Sequence, residues 1–187
     1  MACANSRFDI CMDTLEAPDG KHIDDFLIVR PKVRTEDGVV GILVLPEVDG
    51  KIGLMRGHRH QMDEVVWQAP AGFVENSETA DFAASRELLE ETGLSCPPEE
   101  LVSLGTMLPD AGLVEGRVAL FLARASAQDT NAVNDIEPGA GEITWFSTTE
   151  LHYLLTHESN IGGSTLVAGF RYLATTGCLA APHATLR

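Results

Sequence analysis

The segment at positions 72–94, GFVENSETADFAASRELLEETGL, constrains this chain more than any other. It holds five glutamates, and three of them, Glu87, Glu90 and Glu91, follow Arg86 closely. Spacings of three and four residues place these three near one face of a helix, where like charges repel by about 0.2–0.5 kcal/mol per pair. A hard cation would offset this cost, because Mg²⁺ prefers carboxylate oxygens. The three glutamates are therefore candidate metal ligands.

The same segment carries helix boundary signals. Ser77 or Thr79 can cap a helix that begins near position 79. Gly93 suits the left-handed position that ends many helices, and Pro97 follows it. The predicted buried stripe of this helix consists of Phe82, Ala84, Leu88 and Leu89.

The rest of the chain mixes strand and helix patterns without strict alternation. A capping box at positions 147–150 predicts a helix to about 157, and a last helix is predicted at 164–175. The polar stretch 126–141 is predicted to be a loop. This arrangement favours an α/β fold in which helices cover a mixed sheet. Strands are predicted at 7–12, 22–30, 39–45, 51–56, 64–68, 101–108, 117–125 and 142–146.

Composition narrows the class of protein. The chain has 187 residues, 44% of them hydrophobic, and a net charge of −15. Such an acidic balance disfavours nucleic-acid and membrane-surface partners, which require basic patches. The longest apolar run, at 39–45, is too short to span a membrane, and no signal peptide is seen, so a cytoplasmic protein is expected. Four dispersed cysteines indicate neither a zinc site nor a disulfide framework.

The whole segment 72–94 matches the pattern G-x5-E-x7-R-E-U-x-E-E-x-G-U, with U aliphatic, at all nine constrained positions. On these residues the chain resembles the Nudix hydrolases. That resemblance implies an α/β/α sandwich with a mixed sheet, which agrees with the element pattern, and an N-terminal β-hairpin extension. It also implies Mg²⁺ or Mn²⁺, held by Glu87, Glu90, Glu91 and the backbone carbonyl of Ala71. Glu87, Glu91 and Arg86 would be catalytic, with Arg86 supporting the ligands.

Outside this segment the chain resembles the ADP-ribose pyrophosphatase branch of the family. The run WQAPAG at 67–72, a proline at Pro109 and the arginines Arg56 and Arg59 carry that likeness. The resemblance implies that Arg56, Arg59, Gln68 and Pro109 contact substrate. Gln68 stands where this branch usually has glutamate, and the run PDAG at 109–112 replaces a more typical PSPG. Either departure would shift the specificity to another nucleotide sugar or to a dinucleotide.

The family resemblance also implies a glutamate that activates the attacking water. It lies on the loop before the last strand, which makes Glu137 the preferred candidate. Glu142, at the start of that strand, and Glu115, on an earlier loop, remain alternatives.

The expected function is metal-dependent hydrolysis of a nucleoside diphosphate derivative, chiefly ADP-ribose to AMP and ribose 5-phosphate. The alternatives are hydrolysis of another nucleotide sugar or dinucleotide, and nucleotide sensing without catalysis. Residues 1–35 are expected to form dimerisation strands and residues 36–187 the Nudix domain. The expected assembly is a homodimer.

Overall fold

The fold is seen in a computed structural model that describes residues 3–127 and 142–178. It contains three α-helices, α1 (Ala80–Thr92), α2 (Thr148–His157) and α3 (Gly163–Thr175), and a 3₁₀ turn at Pro98–Glu100 among these residues. The strands are β1 (Cys3–Ala4), β2 (Phe8–Glu16), β3 (His22–Pro31), β4 (Val39–Val48), β5 (Lys51–Arg59), β6 (Glu64–Gln68), β7 (Ala71–Phe73), β8 (Leu94–Ser95), β9 (Val102–Met107), β10 (Arg117–Arg124), β11 (Ser126–Ala127) and β12 (Thr144–Phe146).

The main sheet has seven strands in the order β12-β5-β4-β10-β9, with β6 beside β5 and β7 beside β4. Strand β10 runs parallel to β4, and the other pairs are antiparallel. The sheet is therefore mixed, as the sequence predicts.

Strand β4 lies in the middle of the main sheet and contributes side chains to a hydrophobic core on each face. Its residues alternate between two cores: Ile42 and Val44 pack with the buried face of α1, whereas Leu43 and Leu45 pack with α2 and α3. A strand covered on both faces requires a continuous apolar run, and this one has it. The predicted α/β/α sandwich is thus confirmed.

A separate three-stranded antiparallel sheet, β1-β2-β3, forms the N-terminal part of the chain. It is joined to the loop before β10. The amide of Val29 donates to the carbonyl of Leu113 (2.8 Å), and the amide of Glu115 donates to the carbonyl of Val29 (3.0 Å). The Glu115 carboxylate accepts from Arg30 (2.6 Å) and Arg34 (2.7 Å). These contacts hold the N-terminal sheet against the main body.

Helix α1 follows its predicted boundaries, but one part of its predicted stripe is wrong. Gly93 adopts φ 69°, and its amide donates to the carbonyl of Leu89 (2.9 Å), so it ends the helix as expected. Ala84 and Leu88 are buried, whereas Phe82 is 60% exposed. At 3.6 residues per turn, Phe82 lies about 160° around the axis from Ala84, on the solvent side.

No helix within the two described ranges has the length and apolar character needed to cross a bilayer. The four cysteines are all free thiols, and Cys11 and Cys96 are buried.

Candidate active site

Arg86 is the structural centre of the site. Its Nε and Nη2 atoms donate to the two carboxylate oxygens of Glu78 at 3.0 Å each, and Nη2 also donates to the carbonyl of Phe73 (3.2 Å). This two-pronged contact lowers the pKa of Glu78 and raises the pKa of Arg86. The contact ties the loop after β7 to helix α1.

The remaining nitrogen of Arg86 faces the clustered carboxylates. Nη1 donates to Glu87 Oε1 (2.8 Å) and to Glu90 Oε2 (3.1 Å). Burial raises the pKa of Glu87, and the contact with Arg86 acts in the opposite direction. The positive charge of Arg86 therefore offsets part of the repulsion between Glu87 and Glu90 on this helix face.

Gly72 brings strand β7 against the helix. It pairs with Ile42 of β4. A Cβ atom built on Gly72 would lie 1.9 Å from Oε1 of Glu87 and 2.1 Å from its Cδ. Glycine is thus required for the Glu87 carboxylate to lie directly on the backbone of β7.

These groups line a cavity of about 230 Å³, here called the carboxylate cavity. Its walls include all four predicted metal ligands, Ala71, Glu87, Glu90 and Glu91. Oxygen donors of this kind fit Mg²⁺ or Mn²⁺. As the side chains stand, no three acidic, histidine or cysteine groups within 3–127 and 142–178 converge to hold an ion. Glu87 and Glu90 contact Arg86 instead, so binding an ion requires their carboxylates to reorient.

A second cavity of about 410 Å³, the apolar cavity, adjoins the first. Ala71, Gly72, Phe73 and Glu91 border both cavities. Its other walls come from both sheets and are mainly apolar, including Phe8, Val29, Pro31, Val40, Ile42, Val114 and Val118.

Three of the four predicted substrate contacts line the apolar cavity, namely Arg59, Gln68 and Pro109. Gln68 is only 8% exposed, and its side-chain carbonyl accepts a hydrogen bond from Nη2 of Arg59. Arg56 lies elsewhere: it is exposed on β5, with its guanidinium 5.3 Å from the ring centroid of Trp67. The sequence could not show which of Arg56 and Arg59 reaches the cavity, because both fall near the end of the same strand.

The structure describes two of the three candidates for the water-activating glutamate, Glu115 and Glu142. Both carboxylate oxygens of Glu115 accept from arginines, which lowers its pKa and commits it to holding the N-terminal sheet. Glu142 is exposed just before β12. Glu137 lies outside the described residues.

The sequence did not predict Arg7 or Phe73 as residues of the site. Arg7, just before β2, lines the carboxylate cavity, and its guanidinium lies 5.0 Å from the ring centroid of Phe73. Phe73 also meets Phe8 edge to face, with centroids 5.5 Å apart. A single arginine far from segment 72–94 carries no local signal, since its position depends on how the N-terminal sheet docks.

Named relatives are similar to this chain in sequence over most of its length. Over 115 residues the chain is 28% identical to the "ADP-ribose pyrophosphatase" of Bacillus subtilis, covering 62% of this chain and 57% of that relative. Over 179 residues it is 26% identical to the "CMP-5'-(N-acetyl-N-hydroxy-3-aminopropyl)phosphonate hydrolase" of Streptomyces rubellomurinus, covering 95% and 82% respectively. The chain thus spans little more than half of the first of these relatives.

A solved structure described as an ADP compounds hydrolase superposes with a TM-score of 0.72 at 18% identity, covering 94% of this chain and 91% of the other. At that identity the likeness shows a common fold. Residues 36–165 match the NUDIX domain, which is well over half of the chain. The chain therefore belongs to the Nudix family of hydrolases.

Proposed function

We propose that this Nudix hydrolase cleaves ADP-ribose to AMP and ribose 5-phosphate with a divalent metal ion. The observation that carries the proposal is the shared wall between two cavities. Strand β7 separates a carboxylate cavity from a larger apolar one, and Glu91 borders both. A substrate in which the flat base of a nucleoside packs on apolar walls and a diphosphate follows matches that order. The name of the Bacillus subtilis relative supports the same substrate.

The carboxylates Glu87, Glu90 and Glu91, with the carbonyl of Ala71, would hold Mg²⁺ or Mn²⁺. Such an ion, when bound, neutralises phosphate charge and lowers the pKa of a water molecule. In the hydrolysis, the water oxygen bonds to one phosphorus, and the bridging oxygen leaves with the electron pair of the broken P–O bond. Glu137 stays the predicted acceptor of the water proton. Arg59 and Gln68 would orient the substrate, because they present polar atoms in the apolar cavity.

A different substrate is the second candidate, and Gln68 is the observation that favours it. A buried amide replaces the carboxylate that is usual in this branch, so the cavity carries one negative charge fewer than expected. The relative that covers 95% of the chain is named as a hydrolase of a CMP-linked phosphonate. A nucleotide joined to a different second group is therefore the alternative to ADP-ribose.

Product analysis across a set of nucleoside diphosphate derivatives tests the proposal. We expect AMP and ribose 5-phosphate from ADP-ribose, faster than from other sugar nucleotides, NADH or dinucleoside polyphosphates. Chelation with EDTA should abolish turnover, and Mg²⁺ or Mn²⁺ should restore it. Tight ADP-ribose binding in calorimetry without any product, at saturating metal, would identify a nucleotide sensor instead.

We also propose a homodimer formed through the N-terminal strands of residues 1–35. Four large apolar side chains lie in cross-strand pairs on the hairpin β2–β3, Met12 with Leu27 and Leu15 with Ile23. Each is between 39% and 51% exposed. Positions 12 and 15 are three apart on β2, so the two pairs lie on opposite faces of the hairpin. A second copy packed on the Met12–Leu27 face would bury that pair in a self-complementary contact.

Leu27→Asp should weaken the dimer at least tenfold, because it places an unpaired charge in the contact. Sedimentation velocity over a micromolar concentration series measures the change. Val102→Asp is the matched control, since Val102 is also 39% exposed on a strand but lies in β9. Equal association of both variants and the wild-type chain would exclude this face.

A further inference from the structure

A third cavity of about 390 Å³ adjoins the carboxylate cavity and the apolar cavity. It is here called the polar cavity, and Arg7, Phe73 and Glu75 border it and the carboxylate cavity alike. It lies between the N-terminal sheet and the loop that leads from β7 to α1. Its remaining lining residues are Ser6, Pro31, Val33, Val74 and Asn76. Pro31 and Phe73 also line the apolar cavity, so all three cavities meet at Phe73.

Arg7 is fixed at the boundary between the carboxylate cavity and the polar cavity. Its amide donates to Oδ1 of Asn5 (2.9 Å), and its carbonyl accepts from the amide of Lys32 (3.0 Å). Its guanidinium stacks over the ring of Phe73, 5.0 Å from the centroid. Within the described residues this guanidinium forms no salt bridge, although Glu87 and Glu90 line the same cavity. A stacked guanidinium presents its donors in its own plane, which suits contact with a phosphate.

The apolar and polar cavities differ in chemistry. The apolar cavity is walled by side chains such as Phe8 and Val29. The polar cavity has apolar walls as well, but it adds the hydroxyl of Ser6, the carboxylate of Glu75 and the amide of Asn76. Hydroxyls of a sugar bind groups of this second kind, since each can donate to a carboxylate or carbonyl oxygen and accept from an amide.

We propose that the polar cavity is the subsite for the hydroxyl-bearing, non-nucleoside half of the substrate, and that Arg7 contacts the phosphate joined to that half. The inference rests on the proposed hydrolysis of a nucleoside diphosphate sugar and assigns each half of it to a cavity. It gives the N-terminal segment a part in substrate binding in addition to the dimer contact. Arg7 is then a substrate-binding residue, and Asn76 determines specificity for the sugar.

Two analogues that resist cleavage separate the phosphate contact from the sugar contact. Calorimetry with Mg²⁺ would use α,β-methylene ADP-ribose, which has the sugar, and α,β-methylene ADP, which lacks it. Arg7→Ala should weaken both analogues about tenfold, because both carry the second phosphate. Asn76→Ala should weaken only the ADP-ribose analogue, by about fivefold, the effect of one lost hydrogen bond. In turnover of ADP-ribose, Arg7→Ala should raise KM by a similar factor.

Controls guard against a loss of folding. Arg124→Ala removes an arginine whose side chain is 73% exposed and whose partner is Glu47, so it should bind both analogues like the wild-type chain. Arg7→Lys keeps the charge above Phe73 and should recover part of the affinity lost in Arg7→Ala. Thermal unfolding of each variant shows whether the fold is retained.

Unchanged affinity of Arg7→Ala for both analogues would overturn the phosphate contact. Equal weakening of both analogues by Asn76→Ala, or no weakening of either, would overturn the sugar subsite. A wild-type chain that neither binds nor cleaves ADP-ribose overturns the proposed function and the subsite together. Normal cleavage of ADP-ribose with an unchanged KM in Arg7→Ala and in Asn76→Ala overturns the subsite alone and leaves the proposed function standing.

Discussion

Glu91→Gln should lower kcat/KM for the preferred substrate by about 100-fold or more, while the fold stays intact. Glutamine has almost the same shape as glutamate but lacks the negative charge that holds a divalent ion. Loss of groups that only support metal ligands already costs about 10–100-fold in affinity or activity. Glu91 borders both the carboxylate and the apolar cavity, so its charge lies where metal and diphosphate would meet.

Two measurements check this expectation. Steady-state kinetics at increasing Mn²⁺ should show weaker activation of the variant, and calorimetry should show weaker Mn²⁺ binding in the absence of substrate. Glu99→Gln, on the exposed 3₁₀ turn, removes the same charge elsewhere and should leave both unchanged. Full activity of Glu91→Gln at low Mn²⁺ would show that the metal site has been misplaced.

Much of the candidate site was predictable because its groups are close in sequence. The spacing of Glu87, Glu90 and Glu91 fixes their common face once the segment is helical, and Gly93 marks the end of that helix. Gln68 and Ala71 lie shortly before, on strands that pair with β5 and β4. Local pattern and helix geometry are enough to bring such residues together.

The unpredicted parts depend on contacts between distant segments. The three-residue strand β7 has no periodic signal, and only its pairing with β4 reveals it. Arg7 reaches the site because Val29 pairs with the loop beside Glu115, more than eighty residues later in the chain. Phe82 shows the opposite error, since an apolar residue was assigned to the core although it lies on the exposed face. The type of a residue alone does not show whether it is buried, exposed or part of the site.

Gly72→Ala should remove most activity, again by about 100-fold, with little loss of stability. The added Cβ atom would lie 1.9 Å from Oε1 of Glu87, so the carboxylate has to move away from β7. The end of a glutamate side chain can move at small cost, and the loss of its 2.8 Å hydrogen bond with Arg86 removes about 1 kcal/mol of stability. Because the Cβ atom fills the space between β7 and α1, Glu87 can no longer reorient there to join Glu90 and Glu91 around one ion.

A double-mutant cycle with Glu87→Asp distinguishes this steric mechanism from a general disturbance of β7. Glu87→Asp should cost much less activity in the Gly72→Ala background than in the wild-type chain, because the carboxylate is already displaced there. Gly163→Ala is the control: a Cβ atom at this first position of α3 has no atom within 4 Å, so activity and the free energy of unfolding should be preserved. Additive effects in the cycle would mean that Gly72 acts through something other than the position of Glu87. Since Gly72 also lines the apolar cavity, that result would shift attention from the metal ligands to the nucleoside side of the site.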